Sequence, residues 1–184
     1  AIGIFSKIVE HAYDKVNGGY IEAFERDWQN TTEYILSRGE DRKSMNTHLH
    51  LLEAFTNLYR VWKDESSKFH LKHSIEMMLK HIIDTKTYRM TLFFTNEWKH
   101  TTTTISYGHD IEASWLLWEA AEVLGNEELI KRCRHISIEM AKAAIDGLAA
   151  DGAINYEYEP ETKHLKDNKD WWPRIPMLYA LKDY

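Results

Sequence analysis

The feature that most constrains this chain is an internal repeat. His50-Leu-Leu-Glu53-Ala54 recurs as His109-Asp-Ile-Glu112-Ala113. Ser74-Ile-Glu-Met77 recurs as Ser137-Ile-Glu-Met140. A segment from Asp14 to Trp28 is matched in length by one from Asp84 to Trp98, and the run from Asp146-Gly to Ile154-Asn-Tyr-Glu-Tyr158 has the same form. The unit is helix, helix, short strand, with a period of roughly 60 residues. A hairpin of two helices cannot bury its apolar face alone, so such units stack on one another. The expected architecture is all-α, a toroid of helix hairpins with short connecting strands. An open solenoid is the alternative, because the rotation per repeat is not written in the pattern.

Apolar periodicity places the helices. Residues 43–63 carry Leu51, Leu52, Phe55, Leu58, Tyr59 and Trp62 at helical spacing, and 67–84 carry Phe69, Leu71, Ile75, Met78, Leu79 and Ile82. A helix over about 110–124 ends at Gly125, a natural C-cap residue, and another covers about 127–147. Residues 2–14 and 171–182 also read as helices. Extended pieces fall at 20–24, 90–94 and 153–158. Only 3 Pro and 8 Gly punctuate the 184 residues, and no low-complexity linker divides them, so 1–184 reads as a single domain.

Composition excludes several function classes. A net charge of −6 argues against nucleic acid, whose phosphates call for clustered Lys and Arg. One cysteine, Cys133, rules out an internal disulfide. No run approaches the ~20 apolar residues of a membrane span, and the first residues lack the form of a signal peptide. The expectation is a cytoplasmic protein with neither a membrane nor a nucleic-acid partner.

Ten histidines give the chemistry its starting point. Asn46, His50 and Glu53 share one helix stripe, and so do His109, Glu112 and Trp115. If the repeat makes His50 and His109 equivalent, two imidazoles, each with a carboxylate one turn on, line one cavity. Such imidazoles suit proton transfer near neutral pH, and the many tryptophans offer flat faces to a sugar. His48, His70, His73, His81 and His135 lack that pairing and read as surface or packing residues. Paired His-x-x-Glu groups could instead hold a metal, as in a metal-dependent hydrolase. Helical di-metal sites, however, place the Glu before the His and need more carboxylates, so no metal is expected.

The stretches Lys43-Ser-Met-Asn-Thr-His-Leu-His-Leu-Leu-Glu-Ala54 and Tyr107-Gly-His-Asp-Ile-Glu-Ala-Ser-Trp-Leu-Leu117 are similar to two characteristic segments of the N-acylglucosamine 2-epimerase family. Asp110 and Ser114 favour its cellobiose 2-epimerase branch. The resemblance spans residues 1–172 and implies a partial (α/α)6 barrel, the central part of a longer enzyme. It implies a disaccharide or other aldose as substrate, whose C2 is inverted through a cis-enediolate without metal or redox cofactor. By position, His109 resembles an acid/base histidine and His50 a further active-site histidine near the reacting carbons. Glu112 resembles the orienting carboxylate, Asn46 a substrate contact, and Trp115 and Trp172 aromatic platforms. The family's second acid/base histidine and its active-site arginine lie outside these 184 residues. After Trp172, Arg174 and Pro176 replace a Gln and a substrate-binding Glu, and 177–184 no longer match. The segment alone is therefore expected to be inactive or weakly active. A non-catalytic half-barrel that pairs its exposed edges in a homodimer is the alternative.

Overall fold

A computed structural model describes residues 1–31 and 41–169. Helix α1 (Ile2–His11) is followed by two helix hairpins, α2 (Met45–Val61) with α3 (Glu65–Met77) and α4 (Tyr107–Leu124) with α5 (Glu127–Ala144). Local chemistry sets the helix ends. Ser44, Asp64 and Asn126 each accept a backbone N–H from the first turn of their helix. Gly125 closes α4 in the left-handed conformation at φ 76°. A π-turn, Met78–Ile82, prolongs α3, and a 3₁₀ turn, Ile145–Gly147, prolongs α5. The helix expected over 171–182 lies outside the described residues.

Short antiparallel strands tie the hairpins together. β1 (Lys43–Ser44) pairs with β4 (Phe93–Phe94), and β2 (Ile83–Asp84) with β3 (Arg89–Met90). β5 (Ile105–Ser106) pairs with β6 (Glu157–Glu159), and β6 with β7 (His164–Lys166). Helices α2 and α4 lie side by side and run the same way. Each starts from a two-residue strand, and near their far ends the Arg60 guanidinium meets the Glu119 carboxylate. The core fills the space between the two hairpins with Leu49, Leu52, Phe55, Leu71, Ile75, Met78, Leu116 and Leu117. α1 closes one side through Phe5, whose ring meets Phe55, Trp62 and His70 edge-on at 5.5–5.6 Å.

The repeat is real, but its register differs from the string match. Trp28 and Trp98, seventy residues apart, both adopt left-handed backbone at φ 67° and 66°. Each ends a turn that begins with the equivalent bond, from Glu25 N–H to Gln29 and from Thr95 N–H to Lys99. The turn that follows each helix pair also recurs: Asp14 N–H is bonded to Gly19, and in the third unit Ala149 N–H is bonded to Ala153, so Asp146 sits three residues upstream of that turn and pairs with Arg89 at 2.9 Å. In the helices, a shift of 62 takes Ser44 to Ser106 and carries the buried Leu49, Phe55 and Tyr59 onto the buried Ile111, Leu117 and Ala121.

One correction follows from this register. His50 and His109 are not equivalent. The counterpart of His50 is Glu112, and the counterpart of His109 is Thr47. The string match is short by three residues, close to one helical turn, so it kept every residue on its proper face while placing it one turn off.

Candidate functional site

Both inner helices receive a backbone N–H from the strand segment before them, and each uses a buried side chain at the same position. In α2 this is His48, whose Nε2 accepts from Tyr20 N–H at 3.0 Å while its Nδ1–H donates to the Ser44 carbonyl at 2.7 Å. In α4 it is Asp110, which accepts from Met90 N–H at 2.9 Å and pairs with Arg89 at 3.1 Å. His48 therefore works as a neutral structural clamp, and burial pushes its pKa down to about 4. His73 adds a second clamp, accepting Gly19 N–H at 2.9 Å. Gly19 has φ 76°, and a Cβ there would strike the Trp98 ring and come within 2.7 Å of His48.

One position earlier on α4, His109 occupies the wall of a cleft of about 690 Å³. The wall also includes Asn46 from α2, Asp41, Thr101, Thr102 and Thr104 from loops, and Tyr156, Glu157, Glu159 and Lys166 from the β6–β7 hairpin. Two ties brace that hairpin: Lys166 bonds Glu157 at 2.7 Å, and Thr104 donates to Glu159 at 2.6 Å. Polar side chains around a half-open hollow suit a hydroxyl-rich ligand.

His109 Nδ1 lies 2.7 Å from Ser106 Oγ. Ser106 is buried at the N-cap of α4 and makes no side-chain capping bond. Burial, and then the charge of nearby His50, bring the His109 pKa down to about 4, so its ring is neutral at physiological pH. Glu112 is raised above the usual carboxylate range by burial and by Glu53, against the pull of His50. His50 lies 3.7 Å from Glu53 in a largely exposed pair.

The expected residues thus divide. His109 and Asn46 share the cleft wall. His50 and Glu112 stand outside that wall but belong to the same electrostatic group, on neighbouring helices at matched height. Trp115 lies two turns along from His109, half-buried and packed against the core, and takes no part in the wall. Trp172 lies outside the described residues. Ser106 escaped the sequence reading, because a serine before a helix suggests capping; the signal available was its spacing, three residues before a histidine. The β6–β7 wall also escaped it, since nothing local links 157–166 to His109. Among the described residues, no group of three or more His, Cys, Asp or Glu could hold a metal ion, and no helix is long and apolar enough to cross a membrane.

Residues 4–182 match the model of the N-acylglucosamine 2-epimerase family. The chain belongs to that family. The match runs ten residues past 172, where the resemblance was expected to stop. Among curated relatives, a cellobiose 2-epimerase from Bacteroides fragilis is 43% identical over 174 residues, covering 94% of this chain and 44% of its own length. One from Dictyoglomus turgidum is 34% identical with the same coverage. The solved cellobiose 2-epimerase of Bacillus thermoamylovorans superposes with a TM-score of 0.91 at 31% identity, over 99% of this chain and 47% of that one. A D-mannose isomerase, with a TM-score of 0.73 at 15% identity, shares the fold. The chain therefore spans slightly under half the length of the relatives it matches, and its hairpins are about half of an (α/α)6 barrel.

Proposed function

We propose that this chain carries part of the active site of a sugar 2-epimerase. The substrate is the reducing-end glucose of a disaccharide such as cellobiose, and C2 is inverted. The observation that carries the reading is His109, held neutral beside Asn46 in the wall of a cleft lined by both polar and apolar side chains, in a chain of this family. With Nδ1 engaged by Ser106, Nε2 is the nitrogen that acts on the sugar.

The chemistry starts from the open-chain aldose. Nε2 takes the proton from C2. The C2–H electron pair becomes the C1–C2 double bond, and the carbonyl π pair passes to O1, giving a cis-enediolate. Return of a proton to the opposite face of C2 inverts the centre. His50, one turn further along the neighbouring helix, supplies a second imidazole close to the reacting carbons. Glu112 balances the charge that develops on this pair of rings, and Asn46 holds a sugar hydroxyl. Trp172 is the proposed apolar platform for the sugar ring, while Trp115 packs against the core outside the cleft wall.

The test is deuterium exchange. Incubating the chain with cellobiose in D2O and following C2 by NMR should show slow deuterium entry with mannose forming at the reducing end. His109→Asn should cut the rate about 10²–10⁴-fold, the range for loss of a general base. Exchange that is the same in wild type and variant would overturn the role given to His109.

A further inference from the structure

The two N-caps that begin the inner helices are equivalent serines put to different use. Ser44 spends its hydroxyl on the helix, accepting Thr47 N–H at 3.1 Å and donating to Glu22 at 2.9 Å. Ser106, 1% exposed, makes no such cap, and its Oγ stands 2.7 Å from the ring of His109. His109 occupies the position where α2 has Thr47, so the hydroxyl that would close the helix end is turned onto the imidazole instead. A buried hydroxyl withdrawn from capping and aimed at one ring nitrogen restricts the ring to one plane.

We propose that Ser106 is the positioning residue for His109, an uncharged orienter whose Oγ accepts from Nδ1–H both before and after Nε2 takes a proton. This deepens the epimerase reading and rests on it for its catalytic consequence. When Nε2 receives the C2 proton, the C2–H pair moves into the enediolate and the ring becomes an imidazolium. Its Nδ1–H stays on the same oxygen, so the ring does not turn between taking the proton and giving it up. A carboxylate at this place would hold the ring equally well, but its charge would favour the imidazolium and hinder release of the proton. A serine leaves the ring's basicity to the cleft. The contrast with His48 is direct, because there Nδ1–H is fixed on a backbone carbonyl, which suits a ring that never changes charge.

The experiment uses the whole chain with ¹⁵N-labelled histidine, and NMR reads the tautomer and titration midpoint of His109. In wild type at pH 7 the proton should sit on Nδ1. Ser106→Ala should shift the proton toward Nε2, Ser106→Thr should restore the wild-type pattern, and Ser106→Asp should raise the midpoint by about one pH unit or more. A merely structural cap would leave tautomer and midpoint unmoved, and that result, or a wild-type proton on Nε2, overturns the proposal.

C2 exchange with cellobiose is measured in parallel. Ser106→Ala should lower kcat about tenfold to a hundredfold, the size of loss that misplacement of a reacting group brings, with KM within about twofold. Ser106→Thr should recover most of the rate. Exchange unchanged in Ser106→Ala overturns the catalytic part. The expected NMR shifts with no exchange by any variant, wild type included, would leave Ser106 as the orienter of His109 and overturn the reading that this segment itself exchanges the C2 proton.

Discussion

The first turns of α2 and α4 are built on one frame. In each, a strand of two residues ends in a serine, and a buried polar side chain four residues on receives a backbone N–H from the preceding hairpin. In α2 the frame is wholly structural: the serine caps, and His48 is locked between Ser44 and Tyr20. In α4 the anchoring has passed to Asp110, held by Arg89. That releases the serine to meet the ring of His109, three residues on, which lines a cleft. The difference teaches that a toroid of repeats can afford a reactive group in one unit because its neighbour shows how the same turn is stabilised without one. A histidine's place in the repeat matters more than the company it keeps in sequence.

The sharpest way to break this comparison is to remove each ring. His48→Ala leaves Tyr20 N–H without its acceptor in a dry site and opens a void between Tyr20 and Trp98. A buried unsatisfied donor costs about 1–3 kcal/mol and the void adds to it, so about 3–5 kcal/mol of stability should be lost in denaturant titration. His109→Ala faces a cleft that solvent can fill and should cost about 1 kcal/mol or less. Equal losses would mean that the two turns do not differ in purpose.

Acid should sharpen the same contrast. The pKa of His48 lies near 4 in the folded chain, against about 6.5 for an unfolded histidine. The depressed group contributes stability that is fully present above about pH 6.5 and is lost as pH falls toward 4, because the unfolded chain binds the extra proton first. The difference corresponds to about 3 kcal/mol for this one ring. His70, hydrogen-bonded to the Tyr20 hydroxyl at 2.8 Å, and His109 are also brought down to about 4 by burial and act in the same direction. His48→Gln can still accept Tyr20 N–H through Oε1, and it should remove one proton's worth of the slope of stability against pH between 6.5 and 4. A slope that is the same in wild type and His48→Gln would show that His48 is not the neutral clamp described.

Much of this was readable from the chain itself. Period 3.6 found the helices, and Gly125 marked the end of α4. Equal spacing between Asp14, Trp28, Asp84 and Trp98 disclosed a repeated turn whose left-handed tryptophans the structure displays. Register was not readable, because His-x-x-Glu is similar to itself when slid by one turn, and a helix presents the same face three residues on. Only the burial pattern and the bonds from Tyr20 and Met90 fix the correct shift. His48 was read as packing for want of a carboxylate partner. Its partners are backbone groups, Tyr20 N–H and the Ser44 carbonyl, which no side-chain motif can advertise. The β6–β7 wall depends on β5 meeting β6 across some fifty residues, a pairing set by tertiary closure rather than local propensity.

The smallest effect in the comparison is also the most discriminating. Ser44→Ala loses the bond from Thr47 N–H and the contact with Glu22, and loss of an N-cap costs about 1 kcal/mol. Ser106→Ala has no capping bond to lose, so its cost should be a few tenths of a kcal/mol. Thermal melts of the two variants side by side measure the gap. If Ser106→Ala destabilises as much as Ser44→Ala, its hydroxyl is serving the helix after all, and the His109 ring is a bystander to a cap. If only Ser44→Ala moves the melting temperature, equal side chains at equal positions have been assigned to different work by one change in their surroundings: the arrival of histidine where α2 carries threonine.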